Sequence, residues 1–249
     1  MPSLKVAILQ YNISWKNKAE NFNKIKEMIS EIDAELVVLP EMFQTGFCID
    51  DKLIAETMEG ETIQFLKAES KAKGISFCGS FLCVDNNSYF NRFVMVSDGD
   101  VVGHYDKVHL FGLGGETAFI EAGNTKVDFA FRDFKIRPMV CYDLRFPYLS
   151  FNDSEYDLLI CVANWPSQRI AHWDALLKAR SIENQVYVIA SNRVGEVDGH
   201  FYPGHSCAYK PNGELLVHSH KEEVIQFEIS KEEVTKTREK HPFIKDRKM

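Results

Sequence analysis

The sequence predicts an α/β fold with helices on the outside of two sheets packed face to face. Strand-like runs alternate with helical ones through most of the chain, and hairpins interrupt the crossovers from about residue 91 onward. The 249 residues are 45% hydrophobic and 26% charged, the make-up of an ordinary globular protein with a substantial core. Mixed crossovers and hairpins favour a sandwich over a barrel.

The first strand runs from Leu4 to Gln10, and Phe22, Ile25, Met28, Ile29 and Ile32 then recur at helical spacing on one face. Leu36 to Leu39 is the next strand. A helix over Glu61 to Lys73, with Ile63, Phe65 and Leu66 inward, leads to a strand over Ser76 to Val84. Asn91 to Val96 and Val101 to Tyr105 flank Asp98-Gly99-Asp100 and read as a hairpin. Residues 106 to 124 are long, Gly-rich and punctuated by Phe111, Phe119 and two glutamates, the character of a binding loop.

Lys126 to Phe131, Lys135 to Val140 and Leu158 to Val162 follow as strands. Ile170 to Asn184 is a helix offering Trp173, Leu176, Leu177 and Ile182 to the core, and Val186 to Ser191 completes that unit. His205 to Tyr209, Leu215 to His218 and Val224 to Glu228 return to strand, with Pro211-Asn212-Gly213 as a turn. A single domain over 1–249 is expected, with a core of about 4–228 and a charged tail from 229 to 249. Phe243 and Ile244 in that tail leave two readings open, packing on a partner subunit or a frayed end.

No run approaches the roughly 20 apolar residues of a membrane helix, and no signal-peptide pattern precedes the first strand. A cytoplasmic protein is expected. The net charge of −7, with both signs interleaved, offers no basic stripe, so nucleic acid is not an expected partner. The six cysteines lack a Cys-x-x-Cys pair, which signals neither a zinc knuckle nor a redox dithiol.

Three strand-end residues stand out as chemistry. Cys141 ends the β-prone Arg137-Pro-Met-Val-Cys141 and precedes a Tyr-Asp-Leu-Arg turn that would begin a helix; Glu41 follows Leu36-Val-Val-Leu-Pro40; Lys107 follows Val101 to Asp106. Ligands gather at strand ends in α/β proteins. A free thiol is only a few per cent ionised at neutral pH, so a nucleophilic cysteine needs a base or a cation beside it. Glu41 can supply the base and Lys107 the cation. In acyl transfer the carboxylate takes the thiol proton and returns it to the departing amine, while the ammonium and the backbone N–H of Tyr142 stabilise the oxyanion.

These segments resemble the nitrilase superfamily of carbon-nitrogen hydrolases. Its Glu-Lys-Cys triad is matched by Glu41 in Val37-Val-Leu-Pro-Glu-Met42, Lys107 in Tyr105-Asp-Lys-Val-His-Leu-Phe111 and Cys141 in Val140-Cys-Tyr-Asp-Leu-Arg-Phe146. The likeness runs from the first strand to about residue 228. It implies a four-layer αββα sandwich, a homodimer joined through helices near the cysteine, and no metal or organic cofactor. It also implies a second glutamate in the loop after the lysine; Glu116 matches its place better than Glu121. Ala163-Asn-Trp-Pro166, Arg169, Trp173 and Leu177 to Gln185 are similar to the omega-amidase branch, which hydrolyses the distal amide of 2-oxoglutaramate or 2-oxosuccinamate.

Other readings stand beside these. The substrate is open to a nitrile, an N-carbamoyl amino acid or a simple aliphatic amide, and a non-catalytic binding protein on the same fold is the reading from another class. His104 and His109 invite a Cys-His enzyme, but the expectation is structural, with no Asn or Asp at a spacing that orients either. Asp143 and Arg145 are read as a local pair behind the cysteine turn in preference to direct contact with a substrate. Trp165 is the best candidate for a pocket wall. Arg169 is open between a bidentate contact to a substrate carboxylate and a surface position, and Phe43, Phe111 and Phe119 between lining the pocket and packing its loops.

Overall fold

The computed structural model describes residues 2–247. In chain order, β1 (Ser3–Gln10), α1 (Lys18–Met28), β2 (Leu36–Val38), α2 (Glu61–Lys73), β3 (Ser76–Asp85), β4 (Ser88–Ser97) and β5 (Asp100–Asp106) form the first half. After a long loop carrying α3 (Glu116–Phe119) come β6 (Phe129–Phe131), β7 (Phe134–Val140), α4 (Pro147–Ser150), β8 (Leu158–Ala163), α5 (Ile170–Asn184) and β9 (Tyr187–Asn192). The hairpin β10 (Val194–Val197) and β11 (His200–Pro203) precedes β12 (Ser206–Tyr209), β13 (Leu215–Ser219), β14 (Glu223–Ser230) and α6 (Lys231–Lys240).

Two six-stranded sheets result, ordered β14-β1-β2-β3-β4-β5 and β13-β12-β9-β8-β7-β6. Each has a parallel centre, β1-β2-β3 or β7-β8-β9, flanked by antiparallel strands. Strand periodicity explains the layering. On β1, Leu4, Val6 and Ile8 point into the core between the sheets, while Ala7 and Leu9 meet Phe22, Ile25, Ile63 and Leu66 of α1 and α2. On β8, Leu158, Ile160 and Val162 face the same inter-sheet core, and Leu159, Cys161 and Ala163 turn to Trp173 and Leu177 of α5. Helix, sheet, sheet and helix are therefore stacked in four layers.

The α5 helix spans the expected residues, with one correction to its faces. Trp173 and Leu177 are buried, but Ile182 is 48% exposed. Its Cβ, Cγ1 and Cδ1 instead cover Gly213 of the β12–β13 turn, where a β-carbon would collide with them. As far as Arg247 the tail packs on its own chain, and residues 248–249 lie outside the described residues. Val234 of α6 belongs to the inter-sheet core, Gln185 Nε2 donates to His241 O at 2.6 Å, and the Arg247 guanidinium lies 4.4 Å from the centre of the Phe151 ring. Phe243 stays exposed among these anchors.

Leu177→Ala removes a fully buried side chain from the sheet–helix layer and is expected to cost about 2–5 kcal/mol. Ile182→Ala, on the exposed face of the same helix, is expected to stay within about 0.5 kcal/mol of the parent. Urea unfolding of the two variants checks the assignment; a larger loss at Ile182 would reverse it.

Candidate active site

Both sheets deliver their strand ends to one place. Glu41 lies just beyond β2 and Lys107 just beyond β5 in the first sheet; Cys141 follows β7 and Asn164 follows β8 in the second. Glu41, Lys107 and Glu116 are buried to within 1% of full burial. The Lys107 ammonium donates to Glu41 Oε1 at 3.1 Å and reaches Glu116 Oε1 and Oε2 at 2.9 and 2.8 Å. Burial alone would favour the neutral amine, but the two carboxylates outweigh it and raise the Lys107 pKa, so the ammonium persists. Burial and the charge of Glu41 raise Glu116, against the pull of Lys107.

The carboxylates are held from several directions. Asn91 Nδ2 donates to Glu41 Oε1 at 2.8 Å and to Glu116 Oε1 at 3.3 Å. The Asn164 backbone N–H donates to Glu41 Oε2 at 2.8 Å, and its side-chain amide donates to Glu41 O at 2.6 Å. Phe111 N–H donates to Glu116 Oε2 at 2.5 Å, which ties α3 to the lysine loop. Glu121 faces away, accepting from Ser88 Oγ at 2.6 Å, so Glu116 is the carboxylate at the lysine.

The lysine's own backbone is clamped as well. Lys107 N–H donates to Asn91 O and Gly123 N–H to Lys107 O. A β-carbon at Gly123 would come within 2.1 Å of Asp106 O, so only glycine permits this closure. Arg92 fixes the end of β5 by a fork to both Asp106 oxygens, at 2.7 and 2.9 Å.

Cys141 opens a 3₁₀ turn over Cys141–Arg145 with φ +47°, a left-handed conformation that a residue with a β-carbon adopts only under constraint. Asp143 supplies that constraint. Fully buried, it accepts from Tyr105 Oη and His109 N–H at 2.8 Å and from Val140 N–H at 3.1 Å. The lysine loop and the cysteine turn are thus strapped together. The expected Asp143–Arg145 pair is absent among the described residues because these donors already occupy the carboxylate. Asp143 also lies 3.2 Å from His109 Nδ1, so an aspartate does orient that imidazole, contrary to expectation. His109 stacks on Phe146 at 3.7 Å between ring centres and keeps a structural position.

Cys141 is the one cysteine of the six that is only partly buried. It opens into a cavity of about 350 Å³ that Lys107 also borders, the lower part of the range for small-molecule sites. Burial of the sulfur and the negative charge of Glu41 push the thiol pKa well above its ordinary value, against the pull of Lys107. A thiol so placed needs a neighbouring base to act as a nucleophile near neutral pH.

Of the expected wall residues, Trp165, Arg169 and Phe111 line the cavity, as does Tyr142. Two are corrected. Phe43 is fully buried in the core between the first sheet and its helices, and Phe119 is 40% exposed on the outer side of α3, away from the cavity.

Several wall residues escaped the sequence reading. Arg145 turns into the cavity, its guanidinium 4.9 Å from the Trp165 ring centre and 5.7 Å from that of Tyr142. Arg169 stacks likewise over Phe111 at 5.1 Å. Neither arginine joins an ion pair among the described residues, whereas Arg92 and Arg137 do. His200 and Tyr202 arrive from the β10–β11 hairpin, and Asp198 from its turn. The Asp198-Gly199 pair, with φ +49° and +73°, was the available signal for that hairpin.

Comparison with known proteins agrees with this geometry. The carbon-nitrogen hydrolase family model matches residues 5–239. The chain is 37% identical to omega-amidase YafV of Escherichia coli over 99% of its own length and 97% of that relative. It is 32% identical to a 2-oxoglutaramate amidase of Bacillus subtilis over 97% and 96% of the two chains. The crystal structure of a CN-hydrolase superfamily protein from Xanthomonas campestris, with an arsenic adduct in its active site, matches at a TM-score of 0.96. The two share 32% identity over 100% of this chain and 98% of the other. With its paired six-stranded sheets and its strand-end glutamate, lysine and cysteine, the chain belongs to the carbon-nitrogen hydrolase family.

Proposed function

We propose that this protein is an omega-amidase: it hydrolyses the distal amide of a small 2-oxo dicarboxylic acid monoamide, 2-oxoglutaramate or 2-oxosuccinamate, to the acid and ammonia. The observation that carries the reading is the pair of guanidinium groups, Arg145 and Arg169, that border the Cys141 cavity without a carboxylate of their own. A planar guanidinium matches a carboxylate by two parallel hydrogen bonds. A cavity of about 350 Å³ walled by Phe111, Tyr142 and Trp165 suits a short, flat acid. The relatives named omega-amidase and 2-oxoglutaramate amidase support the same substrate class.

The reaction runs through a thioester. Cys141 Sγ attacks the amide carbon as Glu41 takes the thiol proton, and the carbonyl oxygen becomes an oxyanion facing Lys107 and the Tyr142 N–H. Collapse breaks the C–N bond, and the nitrogen takes the proton from Glu41 and leaves as ammonia. Water then gives a proton to Glu41 and attacks the thioester carbon; the acid departs and the proton returns to sulfur. Glu116 keeps the ammonium aimed at the oxyanion position and is a positioning residue.

The same reading includes a homodimer through the helices beside the cysteine turn. Tyr148 at the start of α4 is 71% exposed and presents apolar surface beside the cysteine turn. Light scattering at twice the chain mass is the expected result.

Cys141→Ala is expected to abolish ammonia release from 2-oxoglutaramate with an unchanged thermal transition, and intact-mass analysis of the parent should show an acyl adduct on Cys141. Substantial residual turnover would sink the thioester route. Arg145→Met and Arg169→Met are expected to raise KM for 2-oxoglutaramate at least roughly tenfold, the scale of one lost charged contact, with little change for an uncharged aliphatic amide. A parent enzyme preferring a nitrile would reject the substrate assignment.

A pH profile separates the base from the thiol. Because the resting thiol pKa lies above neutrality, an unassisted sulfur gains thiolate about tenfold per pH unit while pH stays below that pKa. Alkylation by iodoacetamide is expected to follow that slope between pH 7 and 9 in Glu41→Gln and to be nearly flat in the parent, where the carboxylate removes the proton. Equal slopes would take the base role from Glu41.

A further inference from the structure

Away from the cavity, three imidazoles converge at one end of the second sheet. His205 precedes β12, His218 lies on β13 and His220 follows it. Their ring centres are 4.3 to 4.9 Å apart with each pair nearly perpendicular, and one nitrogen from each lies within 4.8 Å of the others. None of the three borders the Cys141 cavity. We propose that His205, His218 and His220 form a binding site for a divalent transition-metal ion of the zinc class, with solvent in the fourth position.

The arrangement has the parts such a site needs. His205 Nδ1 lies 3.0 and 3.1 Å from the two carboxylate oxygens of Asp174 on α5, a contact that places the proton on Nδ1 and leaves Nε2 free to ligate. A carboxylate behind a ligating imidazole also raises its basicity. His218 is half-buried and His220 exposed, so an ion can enter from solvent. Three imidazoles with no thiolate suit zinc, cobalt, nickel or copper and not calcium or magnesium. Tetrahedral zinc holds its nitrogens at about 2.0–2.1 Å, so binding draws the three rings inward from their present spacing.

The backbone beneath is already fixed. His205 N–H donates to Ser219 O at 2.9 Å, joining the segments that bear the three rings. Buried Gln10 clamps the same place, its Nε2 donating to Ser219 O and Lys221 O at 3.1 and 2.6 Å and its Oε1 accepting from Ser206 N–H at 2.8 Å. Only side chains have to move for the ion to bind, which keeps the ordering cost small. The site also touches the cavity wall indirectly, since Trp173 Nε1 donates to His205 O at 2.9 Å and Trp173 packs on Trp165.

The test uses tag-free full-length protein carrying Cys141→Ala, so that the accessible thiol does not compete for metal. Titration with zinc by calorimetry, and with cobalt by its visible absorption, is expected to show one equivalent bound together with a rise in Tm. His218→Ala/His220→Ala in that background is expected to lower affinity at least roughly 100-fold, and Asp174→Asn roughly 10- to 100-fold. His220→Ala alone, at an exposed position, serves if the double variant does not fold, and is expected to lose the cobalt band. Absence of binding at millimolar zinc, or equal affinity in the histidine variants, would overturn the site. Neither result depends on amide turnover.

Discussion

The arrangement of the active site depends on one ammonium group placed out of water between two carboxylates. Lys107, Glu41 and Glu116 come from three separate segments and meet where none of them is hydrated. Removing a charge from water costs several kcal/mol, and that cost is offset only when the counter-charges and hydrogen bonds are complete. Completeness dictates the surroundings. Asn91 and the Asn164 backbone fill the remaining acceptor positions of Glu41, and Phe111 N–H fills that of Glu116. A cluster of this kind is poor evidence for stability, since apolar residues of equal volume would often hold the fold as well. Its persistence in the interior is an argument for chemistry.

The sulfur is governed by the same electrostatics with the opposite outcome. The negative charge that keeps Lys107 an ammonium also keeps Cys141 a thiol. Burial pushes Cys48 up to about 11 and Cys83 up to about 12, so protonation does not distinguish Cys141 from the other cysteines. Access and neighbours do. Cys141 alone meets the cavity, on a backbone held left-handed by the Asp143 strap, with a carboxylate on the far side of the lysine loop. On the proposed route, a substrate oxyanion would be the third anion beside Lys107, after Glu41 and Glu116.

Much of this was legible in the sequence wherever a local pattern reports a local cause. Period-two and helical spacing recovered most strands and the span of α5, and strand-end position singled out Glu41, Lys107 and Cys141. Glu116 was separable from Glu121 only through the resemblance, because both sit in one glycine-rich loop and the choice depends on which faces Lys107. Long-range partners were not legible. Nothing near Asn91 in sequence announces that it bridges two carboxylates, and Arg145 was paired with Asp143 because adjacency in sequence hides that Tyr105 and His109 already occupy that aspartate. Phe43 and Phe119 show the same limit: apolar character is evident from the residue, but whether it faces the core, the cavity or solvent is not.

The division between strands and loops has a functional corollary. The reacting groups stand at strand ends whose positions two sheets and a buried ion cluster determine, so their geometry leaves little freedom. The groups that would recognise a substrate stand on the cysteine turn, the segment before α5 and the β10–β11 hairpin, which contribute few residues to the core. Arg145 and Arg169 stack on Trp165, Tyr142 and Phe111, which positions each guanidinium beside the cavity without a carboxylate partner among the described residues, and Arg145 Nη1 also lies 3.2 Å from His172 Nδ1. On the proposed route, changing those walls would alter which acyl group reaches Cys141 and leave Glu41 in place. Within one fold, then, the proposed reading assigns reaction class to the buried charges and substrate choice to those that border the cavity.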